Sequence, residues 1–491
     1  MLTLVAPLIS LTLVPPLLSL TLLAPLISPT LAAVTPSPPP APTPPPAERR
    51  AALDIFRELV EIDTTHEHGS TAPAAEAVAR RLRAAGIPDT DIHILGPSPT
   101  KQNLVARLHG AGHRPPLLLL GHLDVVEAHR EDWSIDPFRF TERDGYYYGR
   151  GTHDMKSLDA FWVVNLLRLH REKRPLDRDV ILALTADEEA GDENGVEWLL
   201  AHAPELLRAA YALNEGGGGE LKAGHRRAND VQASEKGYFT FRLEVHNKGG
   251  HSSLPERDNA IVRLAHALIA VHDHAFDARL TPVTRAYFAR LATLETGPIA
   301  TDLRTIAATE AGKPLDSAAV ARLSALPFYD ARLRTTCVPT RAQGGHADNA
   351  LPQLATAIVN CRLLPGDSVD DVRHALERAI ADDAVSIKAT GRVDFGPDSP
   401  LMPELFQAVT AVTTRLWPGV PVLPVMSTGA SDGRFLRAAS IPTYGVSGLF
   451  SDVDDVRAHG RDERVGVQAF YEGQEFTWEL LLALTSPSVR N

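Results

Sequence analysis

The stretch Pro116-Leu117-Leu118-Leu119-Leu120-Gly121-His122-Leu123-Asp124-Val125-Val126 decides the reading of this chain. Four leucines in a row, too few for a helix and bounded by proline and glycine, predict a strand buried on both faces. It runs straight into a histidine and an aspartate two positions apart, which at a strand end face the same side. Further apolar strands are expected at 103–108, 180–184 and 210–213, with helical spacing at 50–62, 74–85, 158–170 and 195–202 between them. Alternation of this kind implies an α/β fold, strands in one sheet with helices on its faces.

From Tyr238 to Val245 the hydrophobic period changes to two. A helix (259–272), two strands (333–341, 356–364) and a helix (372–380) follow, the order of a ferredoxin-like α+β module carrying an insertion at 273–332. The α/β pattern returns with a helix at 403–416, a strand at 420–425 and a long helix at 467–484. The expected organisation is a catalytic domain in two pieces, 49–236 and 392–491, with a smaller domain, 237–391, inserted between them.

Composition bounds the function. The 491 residues are 44% hydrophobic and 22% charged, with a net charge of −12, which excludes a disordered, collagen-like or disulfide-scaffold protein. No basic run exceeds a pair such as Arg80-Arg81, so nucleic acid is not an expected partner. Residues 2–28 are three near-copies of one apolar nonapeptide with a proline in each, which argues against a spanning helix. Segment 1–33 resembles a secretory signal that lacks the usual positive start, so a periplasmic or secreted location is expected. A mis-called start and a retained membrane anchor are the other readings. The Pro-rich segment 34–48 reads as an extended spacer.

Four more pieces carry chemistry. Gly149-Arg150-Gly151-Thr152-His153-Asp154-Met155-Lys156 is a glycine-punctuated turn into a helix, Thr185-Ala186-Asp187-Glu188-Glu189 ends a buried strand, and Asn214-Glu215 precedes four glycines. His459 lies in Ala458-His459-Gly460-Arg461-Asp462-Glu463 near the C-terminus. Each alone has an ordinary reading: Asp154 as a helix cap, the three acids as a solvated loop. Together they set imidazoles and carboxylates along one rim of a sheet, where open α/β sheets bind ligands. Two histidines and three carboxylates suit two Zn²⁺ ions sharing one carboxylate, and Co²⁺ or Mn²⁺ accept the same donors.

In content and order the five pieces resemble the aminoacylase/carboxypeptidase family of co-catalytic zinc metallopeptidases, peptidase family M-twenty, over roughly residues 50–485. The resemblance implies a zinc-peptidase-like catalytic α/β/α domain with an inserted lid domain. It implies that His122 and Glu215 hold one zinc, that Glu189 and His459 hold the other, and that Asp154 bridges them ahead of a cis peptide to Met155. Asp124 would orient His122, and Glu188 would be the general base of amide hydrolysis. It further implies that His251, in Gly249-Gly250-His251-Ser252-Ser253, serves the oxyanion, in dimeric members from the other subunit, so a lid-mediated homodimer is an expectation. Asn349 and Arg362 match substrate-contacting segments, and Arg434, in Gly429-Ala430-Ser431-Asp432-Gly433-Arg434, matches the arginine that grips a substrate carboxylate. The expected substrate is a small peptide or an N-acyl amino acid with a free α-carboxylate. The insertion resembles the enlarged lids of the carboxypeptidase and fatty-acyl-amino-acid hydrolase branch.

Rival readings exist. Ser431 in Gly-x-Ser-x-Gly, with Asp455 and His459, would make a serine hydrolase, and a non-catalytic binding protein is the other class. Cys337 and Cys361 lie on expected strands flanking a turn centred near Asn349; pairing of those strands would set them nearly opposite, and export would allow a disulfide between them. His66-Glu67-His68 and His272-Asp273-His274 have no evident role.

Overall fold

The computed structural model describes residues 41–191 and 193–487, without the side chains of 392–394. The signal-like segment 1–33 lies outside these residues. The first helix, Pro46–Glu61, begins inside the Pro-rich stretch read as a spacer; proline is tolerated in a first turn because its missing N–H has no intrahelical partner there.

A ten-stranded mixed sheet forms the body. At its centre Leu117–His122 runs parallel to Val180–Thr185 on one side and to Tyr211–Asn214 on the other, and Thr443–Gly445 continues the parallel set. Leu117 and Leu119 point into one core and Leu118 and Leu120 into the other, all four fully buried, so the unbroken leucine run serves two faces at once. Each such side chain contributes about 1.5–3 kcal/mol on leaving water. On the first face helices Pro46–Glu61, Lys156–Arg171 and Val467–Thr485 meet at Phe56, Phe161 and Phe470, whose rings lie 4.7 and 4.8 Å apart along that path. The N-terminal and C-terminal pieces thus share one core. On the other face Val196, Leu199 and Leu207 pack against Leu436.

Because the central strands are parallel, His122, Thr185 and Asn214 end at the same edge. Glu188-Glu189 and Glu215 follow directly. The glycines after Glu215 are required by crowding: a Cβ on Gly217 would stand 2.1 Å from the Gly445 carbonyl oxygen.

A separate antiparallel sheet is ordered Thr336–Gly344, Leu354–Leu363, Gly237–His246, Val385–Asp394. Helices Ala260–Asp273 and Val369–Ile380 cover one face and bury Phe239, Phe241, Leu243 and Val245, giving the ferredoxin-like lid. Cys337 pairs with Cys361 in register and the two are disulfide-bonded.

The insertion forms four helices, Pro282–Leu291, Gly297–Ala308, Ser317–Ser324 and Pro327–Leu333. Tyr287, Phe288 and Leu291 bury against Leu423, Val425 and Ala228 of the large sheet. The amphipathic pattern demanded an apolar partner, and the strand Val422–Ser427 presents one.

Candidate metal centre

Asp154 sits between two imidazoles. Its Oδ1 is 3.2 Å from His122 Nε2 and its Oδ2 is 3.2 Å from His459 Nε2. Glu215 Oε1 lies 3.7 Å from His122 Nε2, and Glu189 Oε1 lies 3.0 Å from His459 Nε2. Two groups result, His122/Asp154/Glu215 and Asp154/Glu189/His459, each with its donor atoms within 4.8 Å of one another. Bonds of 2.0–2.1 Å in a tetrahedral shell put neighbouring donors about 3.3 Å apart, so the spacing suits a cation in each group.

Electrostatics agree with the spacing. Burial, aided by the charge of Asp154, pushes the Glu215 carboxyl well above its usual range, and burial also raises Glu188 and Glu189. Crowded acids of this kind hold protons unless cations neutralise them. Burial is the largest influence and opposes charge on both His122 and Asp154, but their mutual hydrogen bond together with the hydrogen bond from His459 to Asp154 and the charges around them outweighs it, raising the imidazole and lowering the carboxyl. Hydrogen bonds to Asp154 and Glu189 push His459 up to about 10. The Asp154–Met155 peptide is cis.

Asp124 differs from expectation. His122 Nδ1 meets the Asp124 backbone carbonyl at 3.0 Å, and the nearer carboxylate oxygen is 3.7 Å away. The carboxylate instead accepts the backbone N–H groups of Glu188 and Glu189, at 3.1 and 3.0 Å. It therefore fixes the acidic pair, while its carbonyl orients the imidazole.

The first acid of that trio is neutralised by a residue that sequence reasoning missed. Asp187, fully buried and in the left-handed region at φ 63°, accepts from Lys101 Nζ at 2.8 Å and lies 3.0 Å from His66 Nδ1. The one signal was the crowding of three acids, which called for a cation. Asp432 acts in the opposite sense: it accepts from Thr185 Oγ1 at 2.9 Å and Asn194 Nδ2 at 2.6 Å, and its charge adds to the upward shift of Glu188.

Arg434 reaches the site. Its Nη1 lies 3.5 Å from Glu188 Oε1 and donates to the Ser431 carbonyl at 2.9 Å. Arg362, stacked on Tyr238 at 4.7 Å, is lowered by burial and by the like charge of Arg434. The segments that carry His251 and Asn349 lie side by side in the lid, where Gly250–His251 pairs with Ala350–Leu351 and Ser252 N donates to Asn349 O. His251 is exposed there and its Nδ1 is 2.7 Å from Ser253 Oγ. Among the described residues no hydrogen bond or ion pair joins either residue to the two donor groups.

The serine-hydrolase alternative fails on geometry. Ser431 is buried and its hydroxyl donates to Glu235 at 2.9 Å. Asp455 is held by Arg457 and Arg464, and His459 by Asp154 and Glu189.

The model of peptidase family M20/M25/M40 matches residues 118–483, most of the chain. The chain belongs to this peptidase family. As a member it is a metal-dependent amide hydrolase, and the binding-protein alternative is not favoured. Among its relatives, N-fatty-acyl-amino acid synthase/hydrolase PM20D1 of Xenopus tropicalis is 29% identical over 372 residues, 74% of this chain and 71% of the relative. Aminoacylase-1 of Mus musculus is 26% identical over 455 residues, 90% of this chain and 97% of the relative. The M20 family metallo-carboxypeptidase Sso-CP2 from Sulfolobus solfataricus shares the fold with a TM-score of 0.67 at 19% identity, covering 88% of this chain and 99% of that one.

Proposed function

We propose that this chain hydrolyses the amide bond of an N-acyl amino acid or small peptide whose amino-acid half carries a free α-carboxylate. The observation that carries the reading is Arg434 beside Glu188, at 3.5 Å, next to two donor groups that share Asp154. His122, Glu215 and Asp154 would hold one Zn²⁺, and Asp154, Glu189 and His459 the other, with Co²⁺ or Mn²⁺ as substitutes. Bound cations would polarise the scissile carbonyl and acidify a water.

The remaining steps belong to the chain. Glu188 takes the proton of the attacking water on a carboxylate oxygen and returns it to the departing amine. Burial raises its carboxyl above the usual range, the direction that favours holding the proton between its removal from water and its delivery to the amine. Arg434 offers a planar fork to the α-carboxylate, and Arg362 adds positive charge from the lid. A cavity of about 280 Å³, lined by Asp154, Glu215, Gly216–Gly219 and Ser447, gives room for the acyl half. Both N-acyl relatives and the carboxypeptidase fold neighbour support this substrate class.

We propose further that two copies pair through the lid and that His251 acts in the site of the other copy. The open edge strand Thr336–Gly344 and the exposed Ile261, Val262 and Ile269 support this. Export to the periplasm or medium is supported by the signal-like segment 1–33 and the Cys337–Cys361 disulfide. No helix among the described residues is long and apolar enough to cross a membrane.

The test of the assigned base is Glu188→Gln. It should keep both metal equivalents and lose about 10²–10⁴-fold in kcat, the usual worth of a general base. Retained turnover would refute the assignment.

A further inference from the structure

Asp154 and His459 reach the centre from loops on distant parts of the chain, and a single buried carboxylate joins those loops. Strand Tyr146–Tyr148 pairs with Arg464–Gly466, so the loop after the first and the loop before the second run side by side. Glu463 stands at that junction with no solvent exposure. Its Oε2 accepts from Gly151 N at 3.0 Å and Arg150 Nη1 at 2.6 Å. Its Oε1 accepts from His153 N at 2.7 Å and Asp154 N at 3.0 Å. Arg150 closes the ring: its Nη2 donates to the Gly460 carbonyl at 3.1 Å and, at longer range, to the carbonyls of His459 and Glu127, both at 3.4 Å. Trp133 lies under the guanidinium at 5.0 Å.

The distribution of these bonds is informative. A carboxylate buried only to stabilise the fold would be satisfied by whichever elements pack around it. Here all four side-chain bonds at Glu463 go to residues 150–154, and the counter-ion turns its other nitrogen to the carbonyls of Gly460 and His459 as well as to that of Glu127. The ring thus fixes the backbone on both sides of the Asp154–His459 contact, where the two loops must supply donors to one cation. His122 and Glu215 need no such device, because each sits at or directly after a strand of the central sheet.

We infer that Glu463, together with Arg150, is a positioning pair that holds Asp154 and His459 at the separation one cation requires, and so governs retention of the cation shared by Asp154, Glu189 and His459. The inference rests on the two-cation reading above. Partners that orient metal ligands through hydrogen bonds carry about 10- to 100-fold in metal affinity.

The experiment is calorimetric titration of Co²⁺ into the metal-free full chain, wild type against Glu463→Gln and Arg150→Lys, at a temperature where circular dichroism shows each to be folded. Arg150→Lys keeps the charge opposite Glu463 but loses the fork that spans to Gly460 and His459, so it carries the test if Glu463→Gln does not fold. The expected result is two equivalents in wild type, and in the variants one equivalent within about 3-fold of wild type and the other weakened about 10- to 100-fold. Both equivalents unchanged, or both weakened alike, overturns the positioning role while leaving the centre intact. Fewer than two equivalents in wild type overturns the two-cation reading and the positioning role with it.

Discussion

His459 Nε2 stands 3.2 Å from Asp154 Oδ2, a contact between a C-terminal loop and a turn in the first half of the chain. The other Asp154 oxygen is engaged in the same way by His122, so one carboxylate belongs to both donor groups. Removing it should therefore cost more than removing any other donor. Asp154→Ala is expected to lose both metal equivalents, and Glu189→Ala to lose one. Metal content after desalting, read by elemental analysis, separates the two; an Asp154→Ala chain that keeps two equivalents would show that Asp154 does not bridge.

Metal uptake should release protons. Without cations, hydrogen bonds to Asp154 and Glu189 raise His459 to about 10, so its imidazole is protonated at neutral pH and must shed that proton to act as a ligand. Apparent metal affinity should climb as pH rises toward 10. Stability of the metal-free chain runs the other way: a raised imidazole contributes fully below its ordinary value of 6.5 and loses the contribution as pH rises through about 10. Calorimetry in two buffers of different ionisation enthalpy counts the released protons, and a count of zero at pH 7 would contradict the assignment of His459.

Arg434→Met removes the carboxylate grip without touching a metal donor. For substrates with a free α-carboxylate, kcat/KM should fall about 10- to 100-fold, the worth of one or two charge-assisted hydrogen bonds. Substrates with an amidated carboxylate should be hydrolysed equally slowly by both proteins. Equal losses on both substrate types would mean that Arg434 acts on Glu188, its 3.5 Å neighbour, rather than on substrate.

Ser431→Ala separates the two hydrolase chemistries. Because the hydroxyl serves the buried Glu235, its loss leaves one carboxylate oxygen short of a donor and should cost about 1–3 kcal/mol of stability. Turnover should stay within a few fold of wild type. Abolished turnover with metal content intact would revive a serine nucleophile.

The places of the candidate residues were legible because each follows a strongly apolar strand: His122 after Leu117–Leu120, Glu188-Glu189 after Val180–Leu184, Glu215 after Tyr211–Leu213. A polar residue at that point of a parallel sheet has a predictable place. Lys101 was not legible, since nothing near it in the chain marks Asp187 as its partner. Neither was the placement of the 273–332 helices, because amphipathic spacing shows that Tyr287 and Phe288 need an apolar surface without saying whether the lid or Leu423 and Val425 supply it. For Asp124 the spacing to His122 does not decide between carbonyl and carboxylate at that imidazole; the close approach of the Glu188-Glu189 backbone, which takes the carboxylate, does.

The most direct test of the account is hydrolysis of paired N-acyl amino acids and C-terminal dipeptides, each with a free or an amidated carboxylate, assayed before and after prolonged chelation and after return of Zn²⁺. The account predicts release from the free-carboxylate member of each pair, loss on chelation and recovery with metal. Activity that survives chelation, or that ignores the state of the carboxylate, would contradict it.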